Sequence, residues 1–272
     1  MSALRELRLI PVVLRKLTVD RVVDVTPGMK RITLAGSQLA AFVSEDGAAH
    51  PAFASPGFDD DIRLLFPYPG ESEAVLPLIE NGRVSFAAGR RPLARAYSVR
   101  RYDPEARELD IDFVLHGHGV ASDWARRAAP GDPMHIAGPG KTSSRPPGKR
   151  WLLAAGDDTA IPAIARLLEE LPWHARGRVL IAVARDEHRQ ELPAPPGVQL
   201  SWLPREPEAE QPLLDAVRSL SWPDETPFVW LAGEQSEVQR IRRHLTSERG
   251  VPASAIDFTG YWKRGSEGLS GD

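Results

Sequence analysis

The hydrophobic rhythm of this chain changes once, near residue 150, and that change limits what it can fold into. Residues 11–136 read as short strands. "VVLRKLTVDRVVDVTP" (12–27) alternates apolar and polar positions in part and stops at Pro27-Gly28. "KRITLAG", "DIRLLFP", "RAYSVRRYD" and "ELDIDFVLHG" follow, each bounded by Gly, Pro or Asp turns. Ile111, Phe113 and Leu115 alternate with Asp110, Asp112 and Val114, which gives that strand one apolar face. Many short strands with one short helix predict a closed antiparallel barrel. After residue 150 the strands become continuous apolar runs: "WLLAAG" (151–156), "RVLIAVAR" (178–185) and "PFVWLAG" (227–233). Helical spacing fills the gaps, in "TAIPAIARLLEEL" (159–171), "QPLLDAVRSL" (211–220) and "SEVQRIRRHLTSERG" (236–250). The last opens with a capping-box pattern, Ser236-x-x-Gln239, and ends at Gly250. Such alternation predicts a parallel sheet covered on both faces. Two domains are therefore expected, 8–140 and 150–265, divided in the Gly-, Pro- and Ser-rich "GPGKTSSRPPGK" (138–149), with 266–272 as a disordered tail.

Composition removes several function classes. The 272 residues exceed what one small core organises. With 34 basic and 37 acidic residues, the balance disfavours a protein devoted to nucleic acid. The absence of cysteine excludes disulfides, Cys-ligated zinc, iron–sulfur clusters and thiol nucleophiles. "MSALRELRLI" has neither a long apolar core nor a small-residue cleavage site, so no signal peptide is expected. No apolar run approaches the ~20 residues of a membrane span. A cytoplasmic monomer without a membrane span is the expectation.

"RAYSVRRY" (95–102) holds three arginines, two tyrosines and a serine, and five arginines fall between 90 and 101. A chain of net charge −3 has no general need for that density. On an extended strand Arg95, Tyr97 and Val99 point one way, and Ala96, Ser98 and Arg100 the other. Arg95 and Tyr97 could thus form a phosphate clamp and a ring platform, with Ser98 offering its N–H or hydroxyl to a ring edge. Taken alone, the segment reads more readily as a solvated arginine-rich strand with Tyr97 half-buried. "HGHGVASDWARRAAPGD" (116–132) adds a glycine-rich turn and a short helix capped near Ser122. Gly117 and Gly119 let backbone approach a ligand, and a helix N-terminus presents unpaired N–H groups to an anion. Together the two segments suit the pyrophosphate of a flavin dinucleotide. His116 and His118 read as a strand-end and a turn histidine, and no metal site is expected.

A barrel followed by a parallel α/β domain resembles the ferredoxin-reductase architecture, in which the barrel holds a flavin and the second domain a nicotinamide nucleotide. The motifs are more specific. "DDDIRLLFP", "RAYSVRRYD", "DFVLHGHGVASDWARRAAPGD", "GPG", "LLAAGDDTAIPAIARLLEELP", "WLAGE" and "GYWKRG" occur in the order seen in siderophore-interacting proteins, which are flavin-dependent ferric-siderophore reductases. The resemblance spans roughly 10–265. It implies FAD on the barrel, near Arg95, Tyr97, Ser98, Val99, Asp112, Val114, His116, Gly119, Val120, Ala121 and Ser122, with Tyr97 and Ser98 at the reacting ring. It implies NADPH or NADH near Gly156, Asp158, Thr159, Ala160, Gly233 and Glu234. It also implies that Arg63, Lys263 and Arg264 contact an anionic ferric siderophore. Gly138-Pro139-Gly140-Lys141 departs from the family's usual Gly-Pro-Arg-Gly, and Ser98 replaces the commoner threonine.

"GDDTAIPA" (156–163) lacks the Gly-x-Gly-x-x-Gly fingerprint, and Asp157 and Asp158 would repel phosphate. This turn suits the nicotinamide or its ribose. Arg185, at the end of the second strand, stands where an arginine could read a 2′-phosphate. The expected activity is release of ferrous iron from a ferric siderophore, with NAD(P)H or a reduced ferredoxin as donor. Two alternatives stay open: a general flavin or ferredoxin-type reductase, and a flavin-free carrier of siderophores or oligonucleotides.

Overall fold

Pro27 and Gly28 turn the chain between two strands whose ends, Thr26 and Met29, lie opposite each other. In the computed structural model, which describes residues 5–80, 83–86, 90–117, 119–146, 151–205 and 211–265, this hairpin lies in the first of two units. One unit is Leu7–Ser144; the other is Met1–Glu6 with Arg145–Asp272. The tail expected at 266–272 lies outside the described residues.

In the first unit, β1 (Leu14–Thr26), β2 (Met29–Ala35), β3 (Asp61–Phe66), β4 (Leu93–Asp103), β5 (Glu108–Val114) and β6 (Pro133–Ala137) close a barrel in the order β5-β2-β1-β6-β3-β4. Every pairing in it is antiparallel. The interior is filled by Leu17, Ile32, Leu34, Ile62, Leu64, Val99, Ile111, Phe113 and Ile136, each at most 1% exposed. Helix α1 (Val120–Arg127) joins that core through Ala121 and Ala125. Its N-cap is Gly119, while Ser122 lies in the first turn, where its Oγ donates to the His116 carbonyl at 3.1 Å. The cap expected near Ser122 therefore falls three residues earlier.

The β5 alternation hides a second buried layer. Asp110 and Asp112 are only 4% and 3% exposed, because the register sets Thr33 and Arg31 of β2 directly opposite them. Arg31 grips Asp112 with two bonds of 2.7 and 2.8 Å, and Asp110 accepts from Thr33 Oγ1 and Arg101 Nε at 2.7 Å each. Buried carboxylates persist only when paired in this way.

In the second unit, β7 (Trp151–Asp157), β8 (Arg176–Val183), β9 (Gly197–Pro204), β10 (Phe228–Glu234) and β11 (Ile256–Trp262) form a wholly parallel sheet in the order β9-β8-β7-β10-β11. The sequence pattern shows the three central strands as continuous apolar runs. The edge strands β9 and β11 carry mixed residues and escape it. Helices α2 (Ile161–Glu170), α3 (Pro212–Ser219) and α4 (Gln235–Ser247) cross between strands. A 3-10 turn, Asp158–Ala160, precedes α2 and accounts for the earlier helix start expected from the sequence. The N-cap of α4 is Glu234, not Ser236: the Glu234 carboxylate accepts from Glu237 N at 2.9 Å and also from the Ser236 hydroxyl. Gly250, at φ 66, lets Val251 N close on Leu245 O at 2.9 Å past the end of α4.

Glu237 gives this unit a pH signature. It is 6% exposed, and its Oε1 has no hydrogen-bond partner among the described residues. Burial pushes its carboxyl up, with Arg205 opposing and Asp157 adding to the rise. A raised folded value means the residue's contribution to stability is present at low pH and lost as pH rises through that value. Glu237→Gln is expected to raise Tm at pH 7–8 by about 3 °C, from roughly 1 kcal/mol, with the gain fading toward pH 4. Thermal scans at the two pH values check this.

Candidate functional site

On β4, Tyr97 stands opposite Ile62 and Arg95 opposite Leu64, while Ala96 faces Arg63 and Ser98 faces Asp61. Arg95 and Tyr97 thus share one face of the strand, as the alternation requires, and Arg63 belongs to the other. Tyr97 is half-buried, Ser98 8% exposed and Val99 fully buried. The Tyr97 ring lies 4.5 Å from Phe113, Phe113 lies 5.5 Å from Trp124, and Trp124 lies 5.8 Å from Phe66. This aromatic chain ties the Arg-x-Tyr-Ser strand to helix α1, so two segments some twenty residues apart hold one arrangement. Burial pushes the Tyr97 phenol up, with the Arg95 charge opposing, which keeps the ring neutral at physiological pH.

The arginine density divides into separate tasks. Arg101 bonds Asp110, Asp103 and Glu108. Arg90 pairs with Glu71 and lies over the Tyr68 ring at 4.4 Å. The Arg91 guanidinium is 5.8 Å from the Phe86 ring. Arg95 donates to the carbonyl of its neighbour Ala94 at 2.9 Å, a bond that leaves it on the Tyr97 face. Arg63 is 47% exposed and 3.6 Å from Asp61.

The turn after β5 is drawn in by the His116 carbonyl, which accepts from Ser122 Oγ and from Arg126 Nη2 at 3.2 Å. Gly119 N approaches Asp123 Oδ2 at 3.4 Å. A Cβ at Gly117 would meet nothing within 4 Å, so the turn is open there. Val120, Ala121 and Ser122 form the first turn of α1, whose N–H groups lack intrahelical partners. His118 lies outside the described residues. A cation and an aromatic ring on one strand face, tied to an open helix N-terminus, fit a flat ring carrying a pyrophosphate. The Asp112 carboxylate is taken up by Arg31, and Asp112 and Val114 pair with β2 as ladder residues.

In the second unit the expected nucleotide residues gather at the C-terminal ends of β7 and β10. Chain order reverses here: β8 lies on one side of β7 and β10 on the other, which is the crevice position of open α/β sheets. Gly156 permits the turn to close, because a Cβ there would lie 2.4 Å from Ala160 Cβ and 2.6 Å from Ala232 O. The organiser is Asp157, which the sequence suggests only as one of two acidic residues that would repel phosphate. It is 2% exposed. Its Oδ1 accepts from Thr159 N at 2.9 Å and Thr159 Oγ1 at 2.6 Å. Its Oδ2 accepts from Glu234 N at 3.0 Å and Trp262 Nε1 at 2.7 Å. Arg205 stands 4.0 Å away. The signal available in the sequence is Asp157-x-Thr159, an acidic cap two residues before a hydroxyl.

Asp158 turns toward β8. It accepts from Ala184 N at 3.1 Å and meets His188 Nδ1 at 3.3 Å, and burial pushes its carboxyl up against the effect of His188. His188 Nε2 lies 3.5 Å from Arg185 Nη2, so Asp158 and Arg185 are linked through one imidazole. Arg185 is 64% exposed and 3.1 Å from Glu187. Gly233, at φ 141, sits against Asp157, whose Oδ2 would be 2.8 Å from a Cβ. Glu234 spends its side chain on capping α4 and on accepting from Arg264 N at 3.3 Å. Lys263 and Arg264 are exposed and directly follow β11.

Among the described residues no helix is long and apolar enough to cross a membrane. Two family models match the chain: the siderophore-interacting FAD-binding domain over residues 18–143 and the siderophore-interacting protein model over 149–265. The chain is 33% identical to the ferric vibriobactin reductase ViuB of Vibrio cholerae, over 89% of this chain and 86% of that one. It is 32% identical to the NADPH-dependent ferric-chelate reductase of Escherichia coli, over 91% and 92%. Among solved structures, a siderophore utilization protein from T. fusca superposes with a TM-score of 0.87 at 37% identity, covering 98% of both chains. A ferredoxin reductase of carbazole 1,9a-dioxygenase matches with a TM-score of 0.63 at 16% identity, covering 93% of this chain and 70% of that one, and shares the fold alone. With its flavin-domain barrel and switch-point turn, the chain belongs to the siderophore-interacting protein family.

Proposed function

We propose that this chain is a flavin-dependent reductase that takes electrons from NADPH or NADH and reduces a ferric siderophore, releasing ferrous iron. The observation that carries the reading is the aromatic chain from Tyr97 through Phe113 to Trp124, which ties the cationic strand to helix α1, a pairing that suits a flat ring carrying a pyrophosphate. Its relatives named as ferric reductases support the reaction class. A bound FAD supplies the conversion of one hydride into two single-electron transfers.

The protein's own groups divide the work. Arg95 and the first turn of α1 hold the pyrophosphate. Tyr97 supports the ring and excludes water from one side of it, and Ser98 donates a hydrogen bond at the ring edge. Gly156 and Gly233 keep the β7–β10 crevice clear for the nicotinamide, and the buried carboxylate of Asp157 makes that crevice unfavourable for phosphate. Arg185, oriented by His188, meets the adenosine-side phosphate. Lys263, Arg264 and Arg63 attract an anionic iron chelate. Dependence on a nicotinamide nucleotide fits a cytoplasmic location, and reduced ferredoxin is the alternative donor.

Purified protein is expected to show flavin absorbance. Anaerobic NADPH should bleach it, and a ferric tris-catecholate should restore it with two ferric ions consumed per NADPH. A colourless protein that takes up no added FAD overturns the reading.

A further inference from the structure

We propose that Asp157 is a positioning residue for the iron chelate: through Trp262 it fixes the exposed tail that carries Lys263 and Arg264. This rests on the reading above, in which those two cations meet an anionic ferric siderophore. The geometry is confined to the second unit. Trp262 ends the edge strand β11, and the described residues beyond it, 263–265, form no further strand to define their course. Edge strands are paired on one side only, so their ends fray unless tied down.

Two carboxylates supply the tie. Trp262 Nε1 donates to Asp157 Oδ2 at 2.7 Å, and Arg264 N donates to Glu234 Oε1 at 3.3 Å. Both acceptors belong to the crevice itself. Asp157 is held by Thr159 and by Glu234 N, and Glu234 is held by its capping bonds to α4. The β10–β11 register shifts between Gly233 and Glu234, bringing Trp262 opposite Glu234. The tail is therefore referenced to the strand ends that form the crevice, β7 at Asp157 and β10 at Glu234. A buried carboxylate accepting an indole N–H makes a charge-assisted bond, which is directional and short, and so sets position as well as energy.

A double-mutant cycle tests this. The probe is the gallium complex of a tris-catecholate, a redox-inert trianion, titrated into FAD-loaded protein at low and high salt. Trp262→Phe keeps the ring body and removes only the donor. It is expected to weaken gallium-chelate binding by about 3- to 10-fold at low salt, with the loss shrinking at high salt, while FAD content stays at the wild-type level. In a Lys263→Ala/Arg264→Ala background the same change should cost nothing further, because there is no longer a charged tail to position. Asp157→Asn is the second variant should Trp262→Phe fold poorly, and the same non-additivity is expected of it. An equal loss in both backgrounds, or no loss in either, overturns the positioning role. If the double alanine variant itself binds the gallium complex as wild type does, the assignment of the tail as a chelate site fails first, and the coupling falls with it.

Discussion

Arg95→Ala is expected to purify nearly colourless, with FAD affinity lowered by about 30- to 1000-fold. The size follows from the chemistry. A guanidinium paired with a pyrophosphate makes charge-assisted bonds worth roughly 1.5–3 kcal/mol each, and alanine leaves the phosphate charge without that partner. The barrel should not suffer. Arg95 is half-buried, and its bond within the barrel goes to the adjacent Ala94 carbonyl, whereas the core beneath it is Leu64 and the Tyr97–Phe113 pair. Apo-protein Tm should therefore match that of wild-type apo-protein, and circular dichroism should be unchanged. Fluorescence titration with FAD measures the affinity. Wild-type FAD affinity in this variant would remove Arg95 from the clamp and shift suspicion to the α1 N-terminus. Arg101→Ala should behave in the opposite way, since Arg101 holds Asp110 and Glu108 of the barrel wall. It should lose stability rather than cofactor.

That contrast shows what the sequence carries and what it withholds. The rhythm of apolar positions was enough to predict a barrel followed by a parallel sheet, because burial on one face or on both leaves a pattern within each strand. It was not enough for β9 and β11, because an edge strand is buried too little to exclude polar residues. It also described Asp110 and Asp112 as the polar side of β5. Their burial depends on Thr33 and Arg31, which are far away in sequence and opposite only through register. The cap of α4 failed for a related reason. Ser236-x-x-Gln239 satisfies a local pattern, but the strand end at Glu234 already points a carboxylate at the same N–H groups. Asp157 is the extreme case. Next to Asp158 it looks like half of an acidic pair, yet its partners, Glu234 and Trp262, lie 77 and 105 residues away. Motifs point to the candidate site. Its wiring comes from contacts that no local pattern contains.

Replacing Arg63, Lys263 and Arg264 together by alanine is expected to raise the apparent KM for an anionic ferric siderophore by about 10- to 300-fold at low ionic strength. Arg63 is exposed on the barrel, with Asp61 at 3.6 Å, and Lys263 and Arg264 are exposed beyond β11. Exposed charges act through screening solvent, so each contributes about 2- to 7-fold and the three effects should roughly multiply. Asp61 already offsets part of the Arg63 charge, and the Lys263/Arg264 pair should therefore dominate. Measuring Arg63→Ala and the pair variant separately checks that order. The effect should fall mainly on KM, because the cations raise local chelate concentration and affinity without touching the electron donor. Raising salt toward 0.5 M should bring wild type and variant together. Bound FAD, bleaching by NADPH, and reduction of a neutral or cationic acceptor should be nearly unchanged. If the triple variant reduces a ferric tris-catecholate with wild-type KM at low salt, these cations are ordinary solvated surface. The chain would then be a general reductase for which iron chelates are one acceptor among many.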